Sequence, residues 1–489
     1  MMKRLFAAVV VLGFLAAVPS RAEVRTWPLP EGETPNPNWK VSIGGTDVQP
    51  LNARTADPPF QKYDYGGDYG IVSVDTDEAI TVTVRPDTQV ESLTIRPASL
   101  GLEAVKTDDG GFSIAIDPAR VTIPCQMSIE TDGRKHPLLL FVNPLENEIP
   151  AADENTIVFG PGSHFPEGGH LTLSSNQTLY LAAGAVVHAT LELKGENIRI
   201  FGRGVLDCSD WEWTKCPGGL VVAIRESKNV SLSGIIIRGA ASWTVVPTNS
   251  DDVTIENIKI CGGRVQNDDG INPCNSRRVT IRRCFIRTDD DCIALKGMNE
   301  EYGNCEDVTV EHVVFWCDRA RIVLMGHESR APYMRRVTFR DCDIIHSQNR
   351  NFLLEPGENM RMENLLFENL RFEANPKFEL TDSDNRQIDF NNLRFDVDTA
   401  DKETWLFVGR PAVNRYMKTQ VPGYIRDVTI RDITVTGPVG YYGILFSGAD
   451  EDHTTEGVLI ENVVLFGEKQ GSDSPRIHLQ QFLTGGEIR

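Results

Sequence analysis

Basic residues are scarce in this chain, and metal-binding cysteine motifs and long apolar runs are missing from most of it. The 49 lysines and arginines stand against 69 acidic residues, which gives a formal net charge of -20. This imbalance argues against nucleic acid or an anionic membrane as a partner, because the chain has no overall attraction to phosphate. Beyond the first residues, no apolar run is long enough for a transmembrane helix, so no membrane span is predicted.

The rest of the composition is that of an ordinary globular protein. Of its 489 residues, 40% are hydrophobic and 24% are charged. A chain of this length and composition can bury a large core and is long enough for more than one domain.

The first 22 residues have the pattern of a secretory signal peptide. A short basic start precedes an apolar run from Leu5 to Val18, and the ending Ser20-Arg21-Ala22 predicts cleavage after Ala22. The apolar run is too short to span a bilayer comfortably. The sequence therefore predicts that the mature protein is secreted or periplasmic.

Ten cysteines in an exported protein raise the question of disulfide bonds. Cys208 with Cys216 is the strongest candidate for a bridge. No CxxC or Cys/His spacing suggests zinc, and we predict neither a metal site nor a cofactor. Four other cysteines end strand-like runs, which favours a role as small buried apolar residues: Cys261, Cys284, Cys317 and Cys342.

Two regions of the chain differ in pattern. In residues 23–150, short alternating segments such as AITVTVRP, GFSIAID and PLLLFVN are separated by Asp, Gly and Pro turns. This pattern predicts a small antiparallel β-sandwich domain. Residues 151–489 form the second predicted domain, in which one phrase keeps returning.

The returning phrase has the form VTIENIKICG and predicts a solenoid. Its copies are mostly 23 to 30 residues apart, and the unit is strand, turn, strand without a helical pattern. Successive units should stack as parallel strands, which makes a β-helix. The copies begin at Val230, Val253, Val279, Val308, Val337, Leu365, Val428 and Val458.

One interval in this series is longer than the others. Leu365 and Val428 are 63 residues apart. We expect at least one further coil in this interval, around RQIDFNNLRFDV, together with a loop that leaves the stack. Loops of this kind often wall binding clefts.

Five aspartates stand in two knots, NDDG and TDDDC, within the repeat region. Asp269 and Asp290 are 21 residues apart, close to one coil, so we expect them to lie nearly one above the other on strands about 4.8 Å apart. Like carboxylates at short range push one pKa up and another down, which is the separation that an acid and a base need. The alternative is that these aspartates cap turns or bind calcium.

The two knots resemble known signatures. NDDGIN followed by DDDCIALKG resembles the NTDGID and GDDCIAIK motifs of glycoside hydrolase family 28, the polygalacturonase family of right-handed parallel β-helices. The amino-terminal β domain is similar to the architecture of family 49, the dextranase and isopullulanase relatives. Both families are inverting hydrolases. The resemblance implies Asp290 as the general acid, with Asp269 and Asp291 holding and deprotonating the attacking water.

Two other motifs of family 28 are absent here. The histidine of its GHG motif would fall near Ala320 or Arg321, so His327 is not its equivalent and is interpreted as a groove residue. In place of the arginine and lysine of the RIK motif, which grip a galacturonate carboxylate, stand Leu353 and Glu355. Possible substitutes and sugar-contacting residues are Lys296, Arg319, Arg321, Arg330, Trp243 and Trp316, of which the two tryptophans suit stacking on a pyranose.

Three classes of function follow from these observations. The first is an exported glycoside hydrolase that acts on a pectic or related extracellular polysaccharide. The second is a polysaccharide lyase, since many lyases share the β-helix, and the third is a glycan-binding or adhesion solenoid without chemistry. Because Glu355 would repel a galacturonate carboxylate, we predict that plain polygalacturonate is a poor substrate. The sequence leaves the oligomeric state open.

Overall fold

The computed structural model describes residues 23–61, 65–131, 133–347, 350–374, 404–439 and 442–489. Within these ranges the fold is all-β, and the helical segments are four short 3₁₀ turns at Ala98–Leu100, Glu167–Gly169, Pro217–Gly219 and Glu300–Tyr302. None of the helices in these ranges has the length and hydropathy needed to cross a membrane. The predicted signal peptide and the segment RQIDFNNLRFDV at 386–397 lie outside the described residues.

Eleven strands form the amino-terminal domain. They are β1 (Val24–Arg25), β2 (Trp39–Ile43), β3 (Thr46–Val48), β4 (Leu51–Ala53), β5 (Tyr69–Thr76), β6 (Ile80–Pro86), β7 (Thr94–Arg96), β8 (Val105–Lys106), β9 (Phe112–Ile116), β10 (Cys125–Glu130) and β11 (Leu138–Asn143).

These strands make two sheets that face each other. One sheet has the order β1-β5-β11-β10-β7 with β4 beside β5, and the other has the order β3-β2-β6-β9-β8. Side chains of both sheets, such as Val41, Val82, Met127 and Leu140, share one apolar core. The predicted sandwich is confirmed, with one difference: β5 and β11 pair in parallel, whereas the other neighbours are antiparallel.

The remaining strands form the second domain. The first group is β12 (Thr156–Phe159), β13 (Gly162–His164), β14 (His170–Leu173), β15 (Thr178–Leu181), β16 (Ala185–His188), β17 (Thr190–Leu193), β18 (Glu196–Gly202), β19 (Val205–Asp207), β20 (Val222–Arg225), β21 (Lys228–Ser233), β22 (Ile236–Arg238), β23 (Val245–Thr248), β24 (Asp251–Glu256), β25 (Lys259–Cys261), β26 (Arg277–Arg282), β27 (Phe285–Thr288) and β28 (Ile293–Leu295). The second group is β29 (Cys305–Glu311), β30 (Val314–Cys317), β31 (Val323–Met325), β32 (Tyr333–His346), β33 (Arg350–Leu354), β34 (Arg361–Glu373), β35 (Thr404–Gly409), β36 (Tyr424–Thr436), β37 (Tyr442–Phe446), β38 (Thr455–Leu465), β39 (Glu468–Lys469), β40 (Ile477–Leu479), β41 (Leu483–Thr484) and β42 (Glu487–Ile488).

These strands stack as a parallel β-helix. The long sheet holds 21 strands, and two shorter sheets run along another side, β14-β17-β20-β23 and β28-β31-β33-β35-β37-β40. The shorter sheets continue each other through Ile271 and Cys274, which bridge from Val245 and Thr248 on one side to Ile293 and Lys296 on the other. The β-helix is thus continuous across the coil that carries the NDDG motif.

The apolar residue that opens each repeat sets the register of the coils. In β26, Val279 and Ile281 point into the core while their neighbours face outward, as strand alternation requires. The repeat positions are all buried and pair one with the next through the stack: Val253, Val279, Val308, Val337, Leu365, Val428 and Val458. The sequence repeat therefore correctly predicted the stacking.

The long interval is a correction to the sequence reading. Leu365 of β34 pairs directly with Val428 of β36, so no further coil lies between them. β35, which lies in this interval, pairs with β33 and β37, so the shorter sheet also continues without an added strand between them.

The amino-terminal domain packs against the outside of the β-helix. Tyr69, Leu139 and Phe141 of the sandwich share an apolar cluster with residues of the β-helix that include Phe285 and Trp316. Trp316 is 0% exposed, stacks near the Arg287 guanidinium at 4.1 Å and donates to Asp318 at 2.8 Å. The prediction that Trp316 stacks on a sugar is therefore wrong, because the sandwich covers it.

All ten cysteines are buried and free. The interpretation of the strand-ending cysteines as small buried residues is confirmed for this structure: Cys284, Cys317 and Cys342 lie in the main apolar core of the β-helix, and Cys261 lies in the apolar cluster that the amino-terminal domain covers. The candidate bridge between Cys208 and Cys216 is not formed.

Candidate active site

The two acidic motifs follow neighbouring strands on adjacent coils. NDDG comes after β25 and TDDDC after β27, and these strands are paired. The N–H of Gly270 donates to the carbonyl of Asp291 at 2.9 Å, and Ile271 pairs with Ile293. Asp269 is therefore in register with Asp291, and the expected stacking on Asp290 is wrong by one residue. The reason is that the bridge between Ile271 and Ile293 sets a register one residue longer than the interval between Asp269 and Asp290.

Asp269 is buried, and only one of its two carboxylate oxygens accepts a hydrogen bond from the described residues. It is 2% exposed, and its Oδ2 accepts from Asn272 at 2.8 Å and lies 3.7 Å from Nζ of Lys296. Among the described residues, its Oδ1 has no hydrogen-bond partner although the atom is buried. Burial raises the pKa of Asp269 well above its ordinary value, and Asp290 and Asp291 add to the rise while Lys296 opposes it.

Asp291 lies beside a buried arginine. Its side chain is 4% exposed, and Nη1 of Arg321 is 3.4 Å from its Oδ1. Burial raises the pKa of Asp291 to about 7; Arg321 and Lys296 oppose the rise and Asp290 adds to it. A carboxylate with such a pKa can take up or release a proton near neutral pH.

Asp290 is the most accessible of the five aspartates. Its side chain is 17% exposed, while the other four aspartates are buried. Asn267 donates to its Oδ2 at 3.3 Å, and Nη2 of Arg319 lies 3.5 Å from the same oxygen. This carboxyl group is thus placed where a molecule outside the β-helix can reach it.

The remaining two aspartates are held by the protein itself. Asp268 accepts from the backbone N–H groups of Gly263, Arg264, Asp289 and Asp290. Asp289 is gripped by Arg319 and by the Tyr65 hydroxyl. These contacts give Asp268 and Asp289 a structural role, because both stabilise the acidic turns.

Lys296 and Trp243 form one side of the site. Nζ of Lys296 lies over the Trp243 ring at 3.8 Å from its centre and 2.6 Å from Oε2 of Glu328. The attraction of Asp269 and Glu328 outweighs burial and raises the pKa of Lys296. The ammonium group is therefore charged, and two carboxylates already engage it.

His327 is a buried residue beside Glu355. It is 7% exposed, its Nε2 is 3.5 Å from Glu355, and the Tyr416 ring meets it edge-on at 5.2 Å. The pKa of Arg321 is raised. Burial opposes the rise, and the negative charges of Asp291, Asp290 and Glu355 outweigh burial. Glu355 is thus paired with His327 and also acts electrostatically on Arg321, the partner of Asp291.

The other predicted positions contribute differently. Leu353, which stands in place of a sugar-gripping residue of family 28, is buried in an apolar cluster with Ala294 and Leu324. Arg330 donates to the carbonyl of Met298 at 2.7 Å.

Several residues of the site were missed by the sequence reading. Glu328 stands 32 residues after Lys296, so one coil of spacing between opposite charges could have suggested the pair. Asn272 lies within the NDDGIN motif itself. Tyr65 and Tyr416 belong to segments remote in sequence, and only the fold brings them to the site.

In the part of the chain that the structure describes, one group of acidic and histidine side chains away from the two acidic motifs is close enough to hold a metal ion. It consists of Glu33, His188 and Asp207. Arg238 donates to both Glu33 and Asp207, and His188 lies between Glu33 and Asp210. These contacts make the group an ion-pair network that joins the two domains.

Comparison with known proteins supports the resemblance. The family model described as "Glycosyl hydrolases family 28" matches residues 186–351. A "Probable polygalacturonase" of Vitis vinifera is 32% identical over 119 residues, 23% of either chain. A "Probable exopolygalacturonase B" of Aspergillus terreus is 24% identical over 233 residues, 42% of this chain and 50% of that protein. The chain thus spans half or less of the length of these two relatives.

Solved structures share the fold. Dex49A from Penicillium minioluteum matches with a TM-score of 0.61 and 14% identity over 96% of this chain and 99% of that chain. An exopolygalacturonase from Thermotoga maritima matches with a TM-score of 0.50 and 16% identity over 68% of this chain and 84% of that chain. The chain resembles family 28 in its β-helix, and the Dex49A match extends over both domains, so the two predicted resemblances are confirmed.

Proposed function

We propose that this protein is an inverting glycoside hydrolase that cleaves a pectic or related polysaccharide. Asp290 is the general acid, and Asp269 and Asp291 hold and deprotonate the attacking water. The observation that carries the proposal is the arrangement of three carboxyl groups on two adjacent coils: two are buried and in register, and the third is accessible. A glycosidase needs two carboxyl groups of different environment on either side of the scissile bond.

The reaction would follow from the contacts of each carboxyl group. Asp290 gives its proton to the glycosidic oxygen as the bond from that oxygen to the anomeric carbon breaks. A water molecule attacks the anomeric carbon from the opposite face and loses a proton to the buried pair. The unpartnered Oδ1 of Asp269 is an acceptor for one hydrogen of that water. The products are two sugar chains, one with a new reducing end.

The two buried carboxyl groups, those of Asp269 and Asp291, titrate differently from isolated aspartates. Burial raises the pKa of both Asp269 and Asp291, and repulsion from neighbouring carboxylates adds to the rise, so this buried pair keeps a proton to a higher pH than isolated aspartates would. Lys296 and Arg321 oppose the rise and stabilise the ionised form that must accept the proton of water. The site can therefore hold an acid and a base at one pH.

The substrate is a neutral sugar, or a decorated pectic chain whose carboxylate is bound elsewhere. The cations Lys296, Arg319 and Arg321 are each engaged by carboxylates of the protein. Glu355, which stands where family 28 grips a galacturonate, is 1% exposed and adds negative charge. A galacturonate carboxylate would meet this charge, while the three cations beside the aspartates are already paired with carboxylates of the protein; an anion left unpaired near apolar walls costs several kcal/mol. Plain polygalacturonate is thus a poor substrate.

The polysaccharide is met outside the cytoplasm. The predicted signal peptide supports export, and the net charge of -20 suits a secreted protein.

The test is a screen of the purified protein against polygalacturonate, rhamnogalacturonan, dextran and agarose. Reducing ends measure hydrolysis, and proton NMR of the first product identifies its anomer. New reducing ends with inverted configuration are expected. Unsaturated, ultraviolet-absorbing products would instead establish a lyase, and a retained anomer would rule out the inverting mechanism.

A further inference from the structure

The amino-terminal domain reaches the acidic turn through Tyr65. This residue is 2% exposed and packs with Phe60 of its own domain and Val265 of the β-helix. Its hydroxyl donates to Oδ1 of Asp289, and its carbonyl accepts from Nη2 of Arg287 at 2.9 Å. A side chain of one domain therefore touches the residue that immediately precedes the proposed acid of the other.

Arg319 lies between Asp289 and Asp290 but is shared unequally. Its Nε is 2.8 and 3.0 Å from the two oxygens of Asp289, and its Nη2 is 2.5 Å from Oδ2 of Asp289. The same Nη2 is 3.5 Å from Oδ2 of Asp290. A forked, charge-assisted contact is far stronger than one at the longer distance, so Arg319 is paired mainly with Asp289 and only weakly with Asp290.

We propose that Tyr65 is a positioning residue for the reaction: it holds Asp289 as the anion that neutralises Arg319, so that Asp290 can carry the proton it must donate. The inference rests on the proposed role of Asp290. A cation paired directly with a carboxylate favours the ionised form, and an ionised carboxylate has no proton to give. Arg319 must therefore be kept on Asp289.

The Tyr65 hydroxyl favours the ionised form of Asp289. Burial raises the pKa of Asp289, and Arg319 and the Tyr65 hydroxyl oppose that rise while Asp290 adds to it. Without the hydroxyl, Asp289 takes up a proton more readily and releases Arg319 to Asp290. Among the described residues, the charged and polar groups that act on these two carboxylates or on their partners include Tyr65, Asn267, Asp268, Asp269, Asp291, Arg319 and Arg321.

The experiment compares Tyr65→Phe with Tyr69→Phe. Tyr69 is a matched control because it lies in the same domain, is 0% exposed and donates its hydroxyl to a backbone carbonyl, that of Gly262, at 2.8 Å. Profiles of kcat and KM against pH are recorded on whichever of polygalacturonate, rhamnogalacturonan, dextran and agarose the unaltered protein hydrolyses.

In Tyr65→Phe, the alkaline limb of the kcat profile should move to lower pH by about one unit, the equivalent of one lost hydrogen bond to a charged group. KM should not change, because Tyr65 is buried. Asp289→Asn, which removes the neutralising charge itself, should move the limb further in the same direction and provides a second reading if Tyr65→Phe does not fold.

An unmoved limb in Tyr65→Phe, or an equal shift in Tyr69→Phe, would overturn the inference. The proposed function has a separate test in Asp290→Asn. Loss of turnover in that variant together with an unmoved limb in Tyr65→Phe would refute the positioning role alone.

Discussion

Replacing Asp291 with asparagine should stabilise the protein at neutral and alkaline pH while it removes most of the turnover. Asparagine keeps the shape of a protonated aspartate but cannot ionise. The buried carboxylate of the unaltered protein must ionise next to Asp290 as the pH rises, and this costs folding free energy. A residue that serves the reaction at the expense of stability behaves in this way.

The magnitude follows from the pKa of Asp291, which burial raises from 3.8 to about 7. The folded protein holds the proton more tightly than the unfolded chain, so the stability this group contributes is fully present below about pH 4 and is lost as the pH rises to about 7. At about 1.4 kcal/mol for each pKa unit, the loss is on the order of 4 kcal/mol. The advantage of Asp291→Asn should thus be near zero at about pH 4, about 1.5 kcal/mol at pH 5, and should level off above pH 7.

Urea unfolding of both proteins at a series of pH values measures this advantage. Asp307→Asn is the matched control, because Asp307 is 38% exposed and pairs with Arg336 on the outside of the long sheet. The pKa of Asp307 is lowered by that arginine, so its asparagine variant should lose a little stability, at most about 1 kcal/mol, above pH 4. The reasoning is refuted if Asp291→Asn is no more stable at pH 8 than at pH 4 relative to the unaltered protein.

Three further predictions concern the neighbourhood of the aspartates. Gly270→Ala would place a Cβ 2.7 Å from Cγ2 of Ile286 and still closer to the carbonyl oxygen of Cys292, so urea unfolding should show a loss of about 1–3 kcal/mol, whereas Gly160→Ala, with nothing within 4 Å, should be neutral. Lys296→Met removes the cation that opposes the raised pKa of the neighbouring Asp269, so the acid limb of the kcat profile should move to higher pH; a move to lower pH would contradict this. Trp316→Ala should cost about 3–5 kcal/mol of stability, and a loss of glycan affinity without a loss of stability would show that the residue serves binding instead.

The stacking of the β-helix could be predicted from the sequence because it depends on local pattern. An apolar residue, valine in most coils and Leu365 in one, opens each copy of the repeat, and alternation along a strand decides that it faces inward. The interval between Leu365 and Val428 was misjudged because length alone does not distinguish an added coil from an excursion. Pairing of β34 with β36 makes that distinction.

The site was predicted in part for a similar reason. The acidic motifs identified the correct turns, but the register of Asp269 with Asp291 depends on the length of the intervening coil, which the spacing of aspartates does not give. Trp316 was misassigned because its covering comes from the other domain. The contact of Tyr65 with Asp289 joins residues 224 apart in sequence, and no local pattern announces it.

In the proposed reaction, Asp290 gives the proton that breaks a glycosidic bond. The most direct measurement is the rate of reducing-end release by Asp290→Asn on the glycan that the unaltered protein cleaves fastest among polygalacturonate, rhamnogalacturonan, dextran and agarose. The variant should fold with unchanged circular dichroism and lose a factor of about 10²–10⁴ in rate, while Asp307→Asn keeps full activity. A folded Asp290→Asn that retains most of its turnover would contradict the account.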